Sequence, residues 1–197
     1  MVRGFVFDDR LTMGKIIFIT GGARSGKSRF AESLLAGEDD VLYVATGIGF
    51  DDEMKDRIAR HRSQRNPAWK TVECYRDLAP SLRHDLSDYG YVLLDCVTIM
   101  VSNFMVLDAG VDWDSAGIDA ADRIEQVIMK EISAFLDMAR DFHGKTLIVS
   151  NELGMGIVPP TPLGRYYRDI AGKMNQVIAG VADEVYLMVS GVPMKIK

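Results

Sequence analysis

The stretch Ile16-Ile17-Phe18-Ile19-Thr20-Gly21-Gly22-Ala23-Arg24-Ser25-Gly26-Lys27-Ser28 decides the fold. Four consecutive apolar residues read as a strand buried on both faces. The eight residues from Gly21 to Ser28 then fit Gly-x-x-x-x-Gly-Lys-Ser without a mismatch. A helix is expected from Lys27 to Leu35, with Phe30, Leu34 and Leu35 turned to the core and Gly37 ending it. Strand, glycine loop and helix in that order define a phosphate-binding loop. Small residues let backbone N–H groups converge on phosphate oxygens, and the helix N-terminus adds partial positive charge. In such a loop Lys27 reaches the β- and γ-phosphates and Ser28 ligates Mg²⁺. The chain is therefore expected to bind a nucleoside triphosphate, with ATP and GTP not distinguished by the loop.

Working outward, apolar runs mark further strands at Val41-Leu42-Tyr43-Val44-Ala45, Tyr91-Val92-Leu93-Leu94, Thr146-Leu147-Ile148-Val149, 185–189 and 194–196. The last two, linked by Gly191-Val192-Pro193, read as an antiparallel edge hairpin. Helical spacing marks 51–64, 121–142 (Ile124, Val127, Ile128, Phe135, Met138 inward) and 164–181 (Ile170, Met174, Val177, Ile178 inward). Strands alternating with helices predict an α/β P-loop NTPase-like three-layer fold, mainly a parallel sheet. Residues 15–197 read as a single catalytic domain, residues 1–14 as a flexible N-terminal extension, and 107–120 as the most loop-like interior stretch.

Bulk properties narrow the function. A net charge of −5 provides no basic field for a nucleic-acid backbone, so no nucleic-acid partner is expected. No apolar run reaches the ~20 residues of a membrane span. Two cysteines, one after a buried run, suit reduced thiols and a cytoplasmic location.

Asp95 follows the Tyr91–Leu94 run, at the carboxyl end of a strand where ligands of open parallel sheets collect. An ordinary strand-end cap would look the same; beside a phosphate loop, Asp95 reads as the second Mg²⁺ anchor. Glu152, after the next strand, is a weaker candidate. His61 continues the Met54–Ile58 helix face within a basic run that includes Arg62, Ser63, Gln64 and Arg65. Its largely neutral imidazole can attack phosphorus, and the arginines can clamp phosphate oxygens bidentately.

Larger marks accompany these. They are Gly-Gly-Ala-Arg-Ser-Gly-Lys-Ser-Arg at 21–29, Tyr-Val-Ala-Thr at 43–46, Asp-Asp-Glu-Met at 51–54, Arg57-Ile58 with His61, and Trp69-x-Thr71-x-Glu73. Ser-Asn-Glu-Leu-Gly-Met-Gly-Ile-Val-Pro at 150–159, Arg-Asp-Ile-Ala-Gly at 168–172 and Val-Ser-Gly-Val at 189–192 complete them. From residue 16 to 197 the chain resembles the bifunctional adenosylcobinamide kinase/adenosylcobinamide-phosphate guanylyltransferases of cobalamin biosynthesis. The family pattern has Arg-Pro before its Trp, where this chain reads Arg65-Asn66-Pro67-Ala68-Trp69.

The resemblance implies phosphorylation of adenosylcobinamide, then GMP transfer from GTP to adenosylcobinamide phosphate through a GMP adduct on His61. It also implies nucleotide contacts at Ala45, Thr46, Gly47, Arg62 to Arg65, Glu73 and Asp95, ATP or GTP as substrate, and a homotrimer. Two alternatives stay open on the residues alone: a single-activity small-molecule or nucleotide kinase, and a nucleotide-gated interaction module.

Overall fold

The computed structural model describes residues 14–48 and 65–197. The expected 51–64 helix, with His61, Arg62, Ser63 and Gln64, lies outside the described residues, as does all of the expected extension except Gly14.

Seven strands form one sheet in the order β3-β2-β4-β5-β1-β6-β7. They are β1 (Lys15–Gly21), β2 (Val41–Ala45), β3 (Lys70–Glu73), β4 (Tyr91–Asp95), β5 (Lys145–Val149), β6 (Glu184–Val189) and β7 (Val192–Lys195). Every pairing is parallel except β6 with β7. The described helices are α1 (Lys27–Ser33), α2 (Leu78–Leu82), α3 (Val97–Asn103), α4 (Ile118–Asp141) and α5 (Pro162–Val181). This is the expected P-loop-like three-layer architecture.

The layers follow from the period-two alternation of strands that are apolar throughout. Ile16, Phe18, Leu42, Val44, Val92, Leu94 and Ile148 point to one face and pack on α2 to α5. Ile17, Ile19, Val41, Tyr43, Leu93, Leu147 and Val149 point to the other, against Ala31 and Leu35 of the α1 segment and against Trp69.

Several boundaries and faces differ from expectation. Helix α1 ends at Ser33 and turns on to Gly37. Leu35 is buried there, but Leu34 is exposed because that turn rotates it off the core face. Val127 of α4 is also exposed, flanking the buried Ile128–Ile132–Phe135 stripe. The last hairpin turns at Ser190 and Gly191, both with positive φ, so Val192 and Pro193 already belong to β7.

Three elements carried no clear sequence signal. Strand β3 is a short edge strand with no buried residue in its pattern. Helices α2 and α3 are too short for their periodicity to stand out. The 107–120 stretch is loop-like only in its middle. A π-helical turn spans Phe104–Asp108, α4 starts at Ile118, and Trp113 is buried with its indole N–H donating to the Met105 carbonyl at 2.8 Å. Gly14 is buried and docked, its N–H donating to the Arg140 carbonyl at 2.9 Å.

Candidate nucleotide site

The glycine loop leaves β1 and enters α1 with two sharp conformational demands. Gly26, the N-cap of α1, sits at φ 92°, and Gly21 at φ 151°. A Cβ on Gly21 would stand 2.5 Å from the Met188 carbonyl oxygen and 2.8 Å from Ser25 Oγ. The loop is also held from outside: the Gly191 N–H donates to the Ser25 carbonyl at 3.0 Å, so the β6–β7 turn buttresses it. On the other flank the Glu152 N–H donates to the Gly21 carbonyl at 2.8 Å.

Lys27 is 7% exposed, so a cationic side chain has been largely withdrawn from water. Its ammonium donates to the Gly22 carbonyl at 2.7 Å, keeping the charge folded over the loop. Burial pulls its pKa below the ordinary lysine value; the nearby Cys96 and the Asp95 carboxylate oppose that. Ala23 and Arg24 are exposed at the crest, Ser25 is buried, and Ser28 is half-buried on the first turn of α1.

Strand register organises the other residues. Ala45 pairs with Glu73 of β3 on one side and with Asp95 of β4 on the other. In-register parallel strands present such a row on one face, so Glu73, Ala45 and Asp95 form a line across the carboxyl ends of three strands. It is the face that α1 covers. Thr46 and Gly47 continue β2 just beyond it.

Arg65 lies with its guanidinium carbon 3.5 Å from the centroid of the Tyr43 ring. The Tyr43 hydroxyl donates to Asp95 Oδ2 at 2.8 Å. Glu32, on α1, has its pKa raised, first by burial and then by the Asp95 charge, with Arg65 acting against both. Phosphate loop, Asp95 and Arg65 thus meet on one side of the sheet.

A polar network secures the end of β4 from behind. The peptide between Asp95 and Cys96 is cis. Thr46 and Cys96 exchange two hydrogen bonds, and the Asn103 amide donates to the Thr46 carbonyl at 2.7 Å. The Thr98 hydroxyl lies 3.2 Å from Cys96 Sγ and accepts from the Asn151 amide at 2.7 Å. The Asn175 amide and the Tyr167 hydroxyl extend the chain to α5 through the carbonyls of Asn151 and Thr98. The Cys96 thiol is pushed up to about 11, mainly by burial. Neutral at pH 7, it is no nucleophile there.

Sequence reasoning missed Tyr43 and this Thr46–Cys96–Thr98–Asn151 network. Tyr43 did carry a signal, since it stands two residues before Ala45 and so shares its face. The Arg65-Asn66-Pro67 departure has a local account. Asn66 Oδ1 accepts the Ala68 N–H at 3.0 Å and the Asn66 carbonyl accepts the Trp69 N–H at 3.1 Å, closing a turn that seats Trp69. A groove lined by Leu35, Gly37, Asn66 and Trp69 runs beside the far end of α1 from the phosphate loop.

A glycine loop between a buried strand and a helix, with a withdrawn lysine and a strand-end acid facing it, is the arrangement of the P-loop-like fold class. The family description "Cobinamide kinase / cobinamide phosphate guanyltransferase" matches residues 17–196, and the chain belongs to this enzyme family. It is similar to the bifunctional adenosylcobalamin biosynthesis protein CobU of Escherichia coli K12, 46% identical over 92% of this chain and 99% of that protein. The Salmonella typhimurium protein of the same name is 44% identical over the same shares. The bifunctional adenosylcobalamin biosynthesis protein CobP of Pseudomonas aeruginosa is 38% identical over 91% of this chain and 95% of that protein.

Proposed function

We propose that this chain phosphorylates adenosylcobinamide and then transfers GMP from GTP to the resulting phosphate, yielding adenosylcobinamide-GDP for cobalamin biosynthesis. The observation that carries the reading is the family match over residues 17–196. The row of Glu73, Ala45 and Asp95 beside the phosphate loop supports it, because both reactions need one triphosphate held along that edge.

In the kinase reaction the corrinoid side-chain hydroxyl attacks the γ-phosphorus, the bond to the β–γ bridging oxygen breaks, and the hydroxyl proton is lost. In the guanylyl transfer His61 attacks the α-phosphorus of GTP, forming a P–N bond as pyrophosphate leaves. The phosphate of adenosylcobinamide phosphate then attacks that phosphorus, and the P–N bond breaks to return neutral His61. Lys27 and the loop N–H groups stabilise the charge that builds on the phosphate oxygens. Ala45 to Gly47, Arg62 to Arg65 and Glu73 are assigned to holding the nucleotide.

A magnesium ion fits the donor set: the Ser28 hydroxyl and Asp95 carboxylate are hard oxygens. Among the described residues no group of three or more His, Cys, Asp or Glu side chains surrounds a metal position. Few protein ligands is the arrangement Mg²⁺ takes when substrate phosphates supply the rest. When bound, it would neutralise charge on the triphosphate. No described helix is long and apolar enough to cross a membrane. The cytoplasmic location and the homotrimer are assigned on the family resemblance and not on that observation.

Incubation with α-labelled GTP tests the reading. A protein adduct labile in acid and stable in base is expected, absent in His61→Asn. Absence of label on wild type, or equal labelling of the variant, overturns the guanylyl-transfer assignment. Formation of phosphorylated product alone leaves a kinase.

A further inference from the structure

We infer that Tyr43 is a positioning residue for Asp95, orienting its carboxylate from beneath while Arg65 rests on the tyrosine ring. The inference rests on the reading of Asp95 as the acid on the metal side of the site.

Tyr43 pairs in register with Leu93, and Ala45 with Asp95. The Tyr43 side chain therefore reaches two residues up the sheet to meet Asp95 Oδ2 at 2.8 Å, a diagonal contact within range of an aromatic residue. Its ring is 1% exposed and sits in an apolar layer with Val41, Leu93 and Trp69, the last stacked at 6.4 Å between centroids. A phenylalanine would fill that layer equally well. Burying a hydroxyl there is unfavourable unless it finds a partner, and its partner is Asp95. Burial, and then the Asp95 charge, raise the tyrosine's pKa, so the group stays a neutral donor at working pH.

The donor is directional. Fixing Oδ2 sets the plane of the carboxylate, which decides where the other oxygen points. The Arg65 guanidinium over the ring face draws electron density toward itself and strengthens the O–H as a donor. One buried side chain thus touches both Arg65 and the strand-end acid.

The test uses GTP binding by calorimetry with Mg²⁺ and with EDTA, alongside the rate of GMP-adduct formation. Tyr43→Phe keeps the ring and the Arg65 contact and loses only the hydroxyl. It is expected to weaken Mg²⁺-dependent GTP binding about tenfold, the scale of a removed outer-shell partner, and to slow adduct formation similarly. Binding in EDTA should match wild type. Asp95→Asn should do at least as much, and adding Tyr43→Phe to it should cost nothing further. Tyr43→Phe with unchanged Mg²⁺ dependence, or an effect that adds fully to Asp95→Asn, overturns the role of Tyr43 alone. Asp95→Asn with wild-type Mg²⁺ dependence overturns the metal-side reading of Asp95 and the role of Tyr43 with it.

Discussion

The Thr46 hydroxyl donates to the Cys96 carbonyl at 2.8 Å and accepts the Cys96 N–H at 2.9 Å, clasping the ends of β2 and β4 just beyond the last backbone bond between them, from the Thr46 N–H to the Asp95 carbonyl at 3.1 Å. Thr46 is wholly buried, so these bonds have no water to replace them. Thr46→Val keeps the shape, orphans the Cys96 N–H and removes one of the donors to its carbonyl. A loss of about 1–3 kcal/mol in stability is expected from denaturant unfolding, with Thr46→Ser retaining most of it. Asp95 directly precedes Cys96, so the valine variant should also bind GTP more weakly than the serine variant. Equal GTP affinity of the two would separate the Thr46 clasp from the site.

Gly21→Ala tests the loop geometry. The new methyl group meets backbone at the Met188 carbonyl, which cannot swing aside as a side chain could. The strand-to-loop corner must open, and triphosphate affinity is expected to fall at least about tenfold while far-UV circular dichroism is retained. Gly180→Ala on α5, away from the loop and with nothing within 4 Å of the added carbon, serves as the control.

Lys27 supplies a pH prediction with a definite sign. Burial lowers its pKa in the free protein, and a bound triphosphate favours the charged form. Affinity should therefore hold below that lowered pKa and weaken as pH rises through it, by up to about tenfold per pH unit. Lys27→Met should lose this alkaline limb along with about 100-fold or more of the transfer rates. An alkaline limb persisting in Lys27→Met would assign it to another group.

Glu184 governs acid stability at the far edge of the sheet. Hydrogen bonds from Lys15, from the Tyr186 hydroxyl at 2.6 Å and from Lys195 at 3.0 Å hold its carboxyl down to about 2, against an ordinary 4.5. A depressed carboxylate contributes stability that is complete above the unfolded value and lost as pH falls from 4.5 toward 2. Both lysines are about half exposed, and water screens them, so the contribution is about 1 kcal/mol. Glu184→Gln should unfold at lower urea concentration than wild type at pH 7, the difference closing near pH 2. A constant difference across that range would mean the glutamine acts through packing.

The phosphate loop was legible before folding, because eight contiguous residues carry their own geometry. Gly21 and Gly26 adopt backbone angles that few other residues tolerate, and the apolar run before them is a buried strand, as its length and the glycines after it led one to expect. Equally legible were the central parallel strands, whose uniform hydrophobicity needs cover on both faces, and the amphipathic α4 and α5. Short edge elements stayed hidden: β3 buries too little to leave a pattern, and α2 and α3 span barely a turn or two.

Which distant residues meet is a consequence of packing. That Glu73, Ala45 and Asp95 align depends on the register of three strands, and register follows from how whole faces pack. The Tyr43–Asp95 bond, the Thr46–Cys96 clasp and the Gly191 buttress on Ser25 join residues 52, 50 and 166 positions apart. No local periodicity encodes such distances. They are set when the helices press the sheet into one arrangement and buried polar groups must find partners there.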